Sequence, residues 1–314
     1  MNRQSAFTGS GKLLKGGLHC HTTRSDGSGT PEEVIRMHVD HGYDFLALTD
    51  HRYYNYKNYT DLPITIIPGM EMDRGFTKDE GLNTSHCFHS VCIGPEKNDG
   101  NGYEQDQRFD GGRVKDQFEY QKVLDDIHAH GNLTTLCHPQ WSATPAKDFG
   151  RLKGIFAMEL WNSGCVMNSD SDVDNSLIWD ELLIDGKCIY GMATDDGHWM
   201  VHHCNGWVMV NSANNVRAIL TALEHGAFYS STGPEISDFY IDDDNTAHIT
   251  CSPCEHITFY NGYTTPKCKR ADPGKTITEA TFNVQPYSAY VRACVTGADG
   301  KKAWTNPIFL DGRA

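Results

Sequence analysis

The sequence predicts a mixed α/β protein, with an irregular barrel of parallel strands followed by a small β-sandwich. Before Gly233, apolar strand-like runs alternate with amphipathic helical segments, which is typical of parallel strands joined by right-handed crossovers. After this residue, short strand-like runs are separated by turns rich in Asp, Asn, Gly and Pro, as in a small sandwich. We therefore predict two domains, at residues 1–233 and 234–314.

Short apolar runs and helical periodicity define the elements of the first domain. The helix at residues 34–41 has a well-marked start, because Thr30, Pro31 and Glu33 supply an N-cap, a first-turn proline and a capping box. Further strands are predicted at residues 43–49, 64–67, 87–93, 133–136, 155–160 and 188–192, and further helices at 116–130, 177–184 and 214–225. With the extended run that ends at Gly17, this makes seven strands, which indicates an irregular barrel rather than an eightfold one.

Side chains that bind metal ions follow several of these strands. His19 and His21 end the first extended run, and the alternation of strand side chains directs both imidazoles to the same side. Two neutral imidazoles on one face supply half of a divalent-metal site, and Asp26, in the polar turn that follows, can add an oxygen ligand. The carboxyl ends of parallel strands share one face of a barrel. The other candidates at such positions are His51, Glu71, His138, Asp195 and His198.

Several short motifs occur in one order along roughly residues 16–200. They are His19-Cys20-His21 with Ser25-Asp26-Gly27, Leu48-Thr49-Asp50-His51, Gly69-Met70-Glu71, His89, Cys137-His138-Pro139 and Asp195-Asp196-Gly197-His198. In this order they resemble the motifs of the PHP family (polymerase and histidinol phosphatase domain). Near the C-terminus, Tyr290-Val291-Arg292 and Ala303-Trp304-Thr305-Asn306-Pro307 are similar to the β-domain of stand-alone members of the family, which include carbaryl hydrolase-like proteins.

The resemblance implies a distorted (β/α)7 barrel that binds two or three divalent metal ions at positions of this sequence. It implies a first metal on His19, His21, Glu71 and Asp195, a second on Glu71, His89 and His138, and a third on Asp26, His51 and His198. Imidazole and carboxylate ligands suit zinc, manganese or iron. Water between two metals becomes a hydroxide nucleophile, and paired metals stabilise a phosphoryl group in transfer. The predicted catalytic residues are Glu71, Asp195 and His198.

Some residues near these motifs have open alternatives. His86 could replace His89 as a ligand, and we favour His89 because it precedes the apolar run Val91-Cys92-Ile93. Trp141 and Trp199 follow ligand motifs and are either walls of the site or core residues. Arginine binds phosphate through two parallel hydrogen bonds, and the polar residues nearest to the ligand motifs are the candidates for binding substrate. These candidates are Arg24, Arg52, Asn162 and His202.

Composition limits the classes of function. The 314 residues include 41 Asp and Glu against 27 Lys and Arg, a net charge of −14, so nucleic acid is not expected as the main partner. No apolar run is long enough to cross a membrane. The 11 cysteines are scattered and no export signal is recognisable, so we expect reduced thiols and a cytoplasmic protein. Nothing in the sequence decides the oligomeric state, and a homo-oligomer remains open.

The predicted function is that of a metal-dependent phosphoesterase acting on a small phosphorylated metabolite. A metal-activated hydroxide also attacks carbonyl carbons, so hydrolysis of a carboxylic ester or carbamate is the alternative activity. A non-catalytic module that binds metal for structural reasons is the alternative outside enzymes. The full set of nine candidate ligands disfavours that alternative.

Overall fold

The computed structural model describes residues 4–7, 12–76 and 87–312. In chain order the strands are β1 (Gln4–Ser5), β2 (Lys12–Gly17), β3 (Phe45–Leu46), β4 (Thr65–Ile66), β5 (Gly69–Phe76), β6 (Cys87–Ile93), β7 (Arg113–Val114), β8 (Leu133–Leu136), β9 (Ile155–Asn162), β10 (Tyr190–Thr194), β11 (Trp207–Ser212), β12 (Phe228–Ser231), β13 (Ile236–Ile241), β14 (Thr246–Cys254), β15 (His256–Tyr260), β16 (Lys267–Arg270), β17 (Ile277–Asn283), β18 (Tyr290–Thr296), β19 (Lys302–Thr305) and β20 (Ile308–Phe309). The helices are α1 (Pro31–Asp40), α2 (Gln117–Ala129), α3 (Ala146–Phe149), α4 (Ser163–Ser169), α5 (Ser176–Ile184) and α6 (Val216–Glu224), with short 3-10 turns at Lys97–Asp99 and Met200–His202.

The described strands form three sheets. The largest has ten strands in the order β16-β15-β18-β19-β12-β11-β2-β3-β4, with β20 paired to β18. A six-stranded sheet has the order β10-β9-β8-β6-β5-β7, and a four-stranded sheet has the order β1-β13-β14-β17. The predicted mixed α/β class is confirmed. The strands are not uniformly parallel, because β6 pairs antiparallel with both β5 and β8. These sheets do not confirm the predicted irregular (β/α)7 barrel.

Two isolated parallel bridges join the ten-stranded sheet to the six-stranded sheet. One bridge links Cys20, just after β2, to Gly197, just after β10. The other links His51, which follows β3, to Glu71 in β5. We call these two parallel contacts the two seams, and they bring the two sheets together around a common centre. Both seams carry the sequence motifs with candidate metal ligands.

The ten-stranded sheet continues across the predicted domain boundary at residue 233. Strand β12 lies before this boundary and pairs antiparallel with β19, which lies after it. Strand β12 also pairs with β11 of the N-terminal part. The four-stranded sheet and the C-terminal strands of the large sheet enclose a second apolar core, whose fully buried residues include Phe239, Ile249, Ile257, Val291 and Val295. The C-terminal part of the chain is therefore connected to the N-terminal part by a shared sheet.

Local sequence signals predict several elements correctly. The Thr30 side chain accepts a hydrogen bond from the Glu33 N–H, and Oε2 of Glu33 accepts one from the Thr30 N–H at 2.8 Å, which is the predicted capping box of α1. The strands at 87–93 and 133–136 are confirmed with the predicted bounds as β6 and β8. No helix in the part of the chain described here is long and apolar enough to span a bilayer.

Strand β5 is the element of the site that sequence reading misses. Pro68 and Gly69 indicate the end of a strand, yet β5 begins at Gly69. The glycine is required by packing, because a Cβ at this position would lie 2.8 Å from the carbonyl oxygen of Cys92. This close approach brings β5 against β6 and places Glu71 opposite Val91 in the ladder.

Candidate metal centre

The seam between β2 and β10 brings two pairs of polar side chains together. The His21 N–H donates to the Gly197 carbonyl at 3.1 Å, and the Asp196 N–H donates to the His19 carbonyl at 2.9 Å. These bonds align residues 19–21 with residues 196–198, and in each segment two polar side chains are two positions apart. Side-chain alternation then directs His19 and His21 to the same space as Asp196. Nε2 of His21 lies 3.1 Å from Oδ1 of Asp196, and Nε2 of His19 lies 3.3 Å from it.

Glu71 occupies the centre of the candidate site and is fully buried. The seam positions it, because its N–H donates to the Thr49 carbonyl at 3.1 Å and its carbonyl accepts the Arg52 N–H at 2.7 Å. Both carboxylate oxygens face imidazoles. Oε2 lies 3.4 Å from His19 Nε2, 3.2 Å from His21 Nε2 and 3.2 Å from His51 Nδ1, while Oε1 lies 2.8 Å from His89 Nδ1 and 3.5 Å from His138 Nε2.

The outer part of the site is built on Asp26, which the turn after His21 presents. Oδ2 of Asp26 lies 3.4 Å from His198 Nε2 and 3.6 Å from His51 Nε2, and Oδ1 lies 3.5 Å from His21 Nδ1. Asp50 holds this turn, since its Oδ1 accepts the Thr22 N–H at 2.8 Å. The structure therefore gathers eight of the nine predicted ligands around one space.

Asp195 is the predicted ligand that the structure corrects. Its carboxylate lies on the other side of the chain and accepts the backbone N–H groups of Cys204, Asn205 and Gly206 at 2.6, 3.0 and 2.9 Å. Asp196 faces the cluster instead. The signal was present in the sequence, because the spacing of Asp196 and His198 repeats that of His19 and His21, and alternation directs residues two apart to one side.

Ligand-type atoms within 4.8 Å of one another form three overlapping groups in this space. The groups are His19, His21, Glu71 and Asp196; His51, Glu71 and His89; and His21, Asp26, His51 and His198. His138 adjoins the second group through Oε1 of Glu71. The first group lacks Asp195, which the sequence-based assignment included. His86, the alternative to His89, lies outside the described residues.

Charge and hydrogen bonding at the centre fit the binding of cations. Burial alone would raise the pKa of Glu71, but the imidazoles of His51, His19 and His89 hold it well below its usual value. Burial would lower the pKa of His21, but the neighbouring carboxylates of Asp196 and Glu71 raise it to about 10. Among the buried atoms of the described residues, Oε2 of Glu71 and Oδ1 of Asp196 have no hydrogen-bond partner. Buried anionic oxygens that face imidazoles in this way have the chemistry of a transition-metal site.

Glu159 is a residue of the candidate site that sequence reasoning missed. It is fully buried in β9, and its Oε1 lies 2.7 Å from Nδ1 of His19 and 2.6 Å from the Thr194 hydroxyl. Its Oε2 accepts the His138 N–H and an N–H of the Asn162 amide, both at 2.8 Å. A carboxylate on the far nitrogen of a ligating imidazole fixes the ring and its tautomer. The available signal was a Glu inside an otherwise apolar strand, where a charge needs a partner.

A cleft of about 310 Å³ opens over the cluster. Its walls include Trp141 and Trp199, whose side chains are 50% and 57% exposed, and the α4 residues Cys165 and Asn168. Both tryptophans are therefore walls of the site and not core residues. The remaining lining is formed by the candidate ligands themselves and Gly164.

The residues predicted to bind substrate are engaged elsewhere and do not line this cleft in the described part of the chain. The Arg24 guanidinium packs 4.2 Å from the Tyr53 ring and donates to Asp106 at 3.0 Å. Arg52 forms an ion pair with Asp73.

The other two predicted substrate ligands are also occupied by internal contacts. Asn162 donates to Glu159 and to Asp196 and caps α4. Nδ1 of His202 is 3.4 Å from the backbone N–H groups of His198 and Trp199. These contacts bind both side chains to the segments that carry the candidate ligands, so neither side chain faces the cleft.

Residues 17–161 match the family model of the PHP domain. This segment contains the candidate ligands from His19 to His138 and ends before Asp196 and His198. The match and the clusters of His, Glu and Asp together are compatible with a metal-dependent hydrolase. A comparison with curated proteins gives no match.

Two solved structures are among those similar to this chain. One is a two-domain protein from Bacteroides vulgatus containing a predicted PHP-like metal-dependent phosphoesterase. The two sequences are 13% identical, and the match covers 98% of this chain and 97% of that protein, with a TM-score of 0.47. The other is an amidohydrolase from Chromobacterium violaceum with bound sulfate and no metal. The two sequences are 14% identical, and the match covers 59% of this chain and 88% of that protein, with a TM-score of 0.41.

Proposed function

We propose that this protein is a PHP-type metal-dependent phosphoesterase that hydrolyses a small phosphorylated metabolite at a site of two or three divalent metal ions. The observation that carries the proposal is the arrangement around Glu71, whose two oxygens each face a different set of imidazoles at 2.8–3.5 Å. A carboxylate in this position can bridge two cations. We extend the proposal to the stand-alone members with a C-terminal β-domain, on the C-terminal motifs described above.

The proposed ligands follow from the three groups of atoms. His19, His21, Glu71 and Asp196 would hold one ion, and Glu71 with His89 and His138 a second. Asp26, His51 and His198 would hold a third ion nearer to solvent. Zinc, manganese and iron all accept this mixture of imidazole and carboxylate.

When bound, the metal ions would lower the pKa of water and offset the charge that develops on phosphoryl oxygens. The chain itself orients the ligands and limits access to them. Glu159 fixes the ring of His19 through Nδ1, so its Nε2 points to the centre. His198 and Asp26, both partly exposed at the rim of the cleft and 3.4 Å apart, would hold the outermost ion. The cleft of about 310 Å³ is at the small end of ligand pockets, which favours a small metabolite.

The experiment is a panel of chromogenic phosphate monoesters, phosphodiesters and carboxylic esters, assayed on the full chain with added manganese or zinc. We expect turnover of phosphate esters that chelation abolishes and metal restores. Turnover of carboxylic esters or carbamates alone would replace the phosphoesterase assignment. Full metal loading without turnover of any member would favour a non-catalytic module.

A variant pair ties the activity to Glu71. Glu71→Gln keeps the size of the side chain and one neutral oxygen, but loses the charge that holds two cations close together. We expect both metal content and turnover to fall, with an unchanged circular dichroism spectrum because the residue is not part of the apolar core. Glu104→Gln, at an exposed position, is the control. Parent-like activity and metal content in Glu71→Gln would contradict the bridging role.

A further inference from the structure

A second cluster of ligand-type side chains lies behind the candidate metal centre. His38 of α1, Asp195 after β10 and His203 after the second 3-10 turn each have a ligand atom within 4.8 Å of the others. All three side chains are almost completely buried. None of them belongs to the groups around Glu71, because the backbone after β10 separates the carboxylate of Asp195 from that of Asp196. We call this set the rear cluster.

The hydrogen bond of His38 defines which ring nitrogen is free. Nδ1 lies 2.8 Å from the carbonyl oxygen of Val34, one helical turn earlier. A carbonyl can only accept, so Nδ1 carries the proton and Nε2 presents a lone pair. This Nε2 lies 3.9 Å from Oδ2 of Asp195 and has no hydrogen-bond partner among the described residues. Two acceptors therefore face each other in the protein interior with no donor between them.

His203 adds a second imidazole with unpaired nitrogens. Its ring is 3% exposed, and neither of its nitrogens has a hydrogen-bond partner within the ranges that the structure describes. The ring packs edge-on against that of His38, with 5.4 Å between ring centroids. It also fills the space beside Gly197, where a Cβ would lie 2.3 Å from the imidazole. A buried imidazole with both nitrogens unpaired is costly unless something binds it.

We propose that His38, Asp195 and His203 bind an additional divalent transition-metal ion, zinc by its chemistry, separate from the ions in the cleft. Two imidazoles and one carboxylate are a common ligand set for zinc, with water completing the tetrahedron. The backbone carbonyl on Nδ1 of His38 is the partner that ligating histidines typically have on their other nitrogen. The ion would satisfy the facing lone pairs of His38 and Asp195 and one nitrogen of His203.

The position of the rear cluster indicates a structural role. It joins the C-terminal half of α1 to the turn that presents Asp196 and His198 to the cleft. Asp195 is also anchored by the backbone N–H groups of residues 204–206. An ion here would hold that turn in place without contacting substrate.

Wild-type crystals grown with zinc give the direct test, because it requires no variant to fold. Anomalous difference maps above and below the zinc absorption edge should show a peak between Nε2 of His38 and Oδ2 of Asp195, in addition to any peaks around Glu71. Peaks in the cleft with none in the rear cluster would overturn the inference. A rear peak without any in the cleft would support it while contradicting the proposed function.

Solution measurements on the full chain give an independent test. After reconstitution with zinc or cobalt, His203→Gln should contain one metal equivalent per chain less than the parent and should lose one component of the cobalt absorption spectrum. Glu71→Gln should instead lose the spectral components that come from the ions in the cleft. His225→Gln, which changes an exposed histidine, is the matched control. A folded His203→Gln protein with the parent's stoichiometry and spectrum would refute the rear site.

Discussion

Asp195 and Asp196 are adjacent in the chain, yet their carboxylates lie on opposite sides of the backbone. Oδ1 of Asp196 faces the cleft and is 3.1 Å from Nε2 of His21. Oδ1 of Asp195 faces away from the cleft and accepts the Gly206 N–H at 2.9 Å. The same turn thus supplies a ligand to the candidate metal centre and an anchor to the rear cluster. Substitutions at the two positions should therefore have different consequences.

Asp196→Asn should reduce turnover and cleft metal content together. Asn keeps the shape of the side chain but removes the negative charge that His19 and His21 face. Loss of supporting residues around metal ligands costs about 10- to 100-fold, and we expect loss of a ligand to cost at least as much. Metal stoichiometry and turnover of the best phosphate ester measure the effect, with Asp243→Asn at an exposed position as the control. Equal activity in the two variants would contradict the assignment.

Glu159→Ala should weaken metal binding although Glu159 does not line the cleft. The substitution frees Nδ1 of His19, so the ring loses its fixed tautomer and orientation. We expect about 10- to 100-fold weaker metal affinity, measured by competition with a chromogenic chelator. Glu159→Gln should recover part of this loss, since its amide oxygen still accepts from Nδ1. A purely structural role would lower the melting temperature of both variants and leave their metal affinity unchanged.

Trp199→Ala should raise KM and leave the metal content unchanged. The side chain is 57% exposed at the cleft and forms part of its wall. Loss of an aromatic contact of about 1 kcal/mol corresponds to roughly fivefold in KM. Steady-state kinetics measure the change, and Phe118→Ala, an exposed aromatic of α2, is the control. A large fall in metal content in Trp199→Ala would show that the residue acts on the ligands instead.

Asp180→Asn should destabilise the whole chain. The carboxylate of Asp180, on α5, accepts from Nε of Arg292 at 2.8 Å and from its Nη2 at 2.6 Å. The guanidinium is fully buried and packs 4.5 Å from the Trp179 ring. Removing one partner leaves a buried charge without its counterion, which costs about 3–5 kcal/mol.

Urea unfolding measures this cost, and Asp185→Asn at the exposed C-cap position after the same helix should shift stability by less than about 0.5 kcal/mol. Because Arg292 lies on β18, we also expect one cooperative transition for the N-terminal and C-terminal parts. Separate transitions in the parent protein would instead support independently folding domains.

Local chemistry was enough to predict several features from the sequence alone. The capping box of α1 depends on residues three positions apart, and the common orientation of His19 and His21 depends only on strand alternation. The bounds of β6 and β8 follow from short apolar runs with polar neighbours. These signals act within a few residues, so they do not require knowledge of the fold.

Only the tertiary structure decided which side chains meet. Glu159 and His19 are distant in the chain, and their contact depends on the order of β9, β10 and the seam to β2. The choice of Asp196 over Asp195 follows from backbone donors at residues 204–206, which hold the other carboxylate away from the cleft.

The pairing of β12 with β19 likewise connects the two parts across residue 233, where composition alone predicts a boundary. Pairing between distant strands is set by packing of the whole chain, because the hydrogen-bonding groups of a strand edge are the same in every sequence. The sequence alone therefore determined the local elements and most of the residue types of the site, whereas their partners were decided by long-range packing.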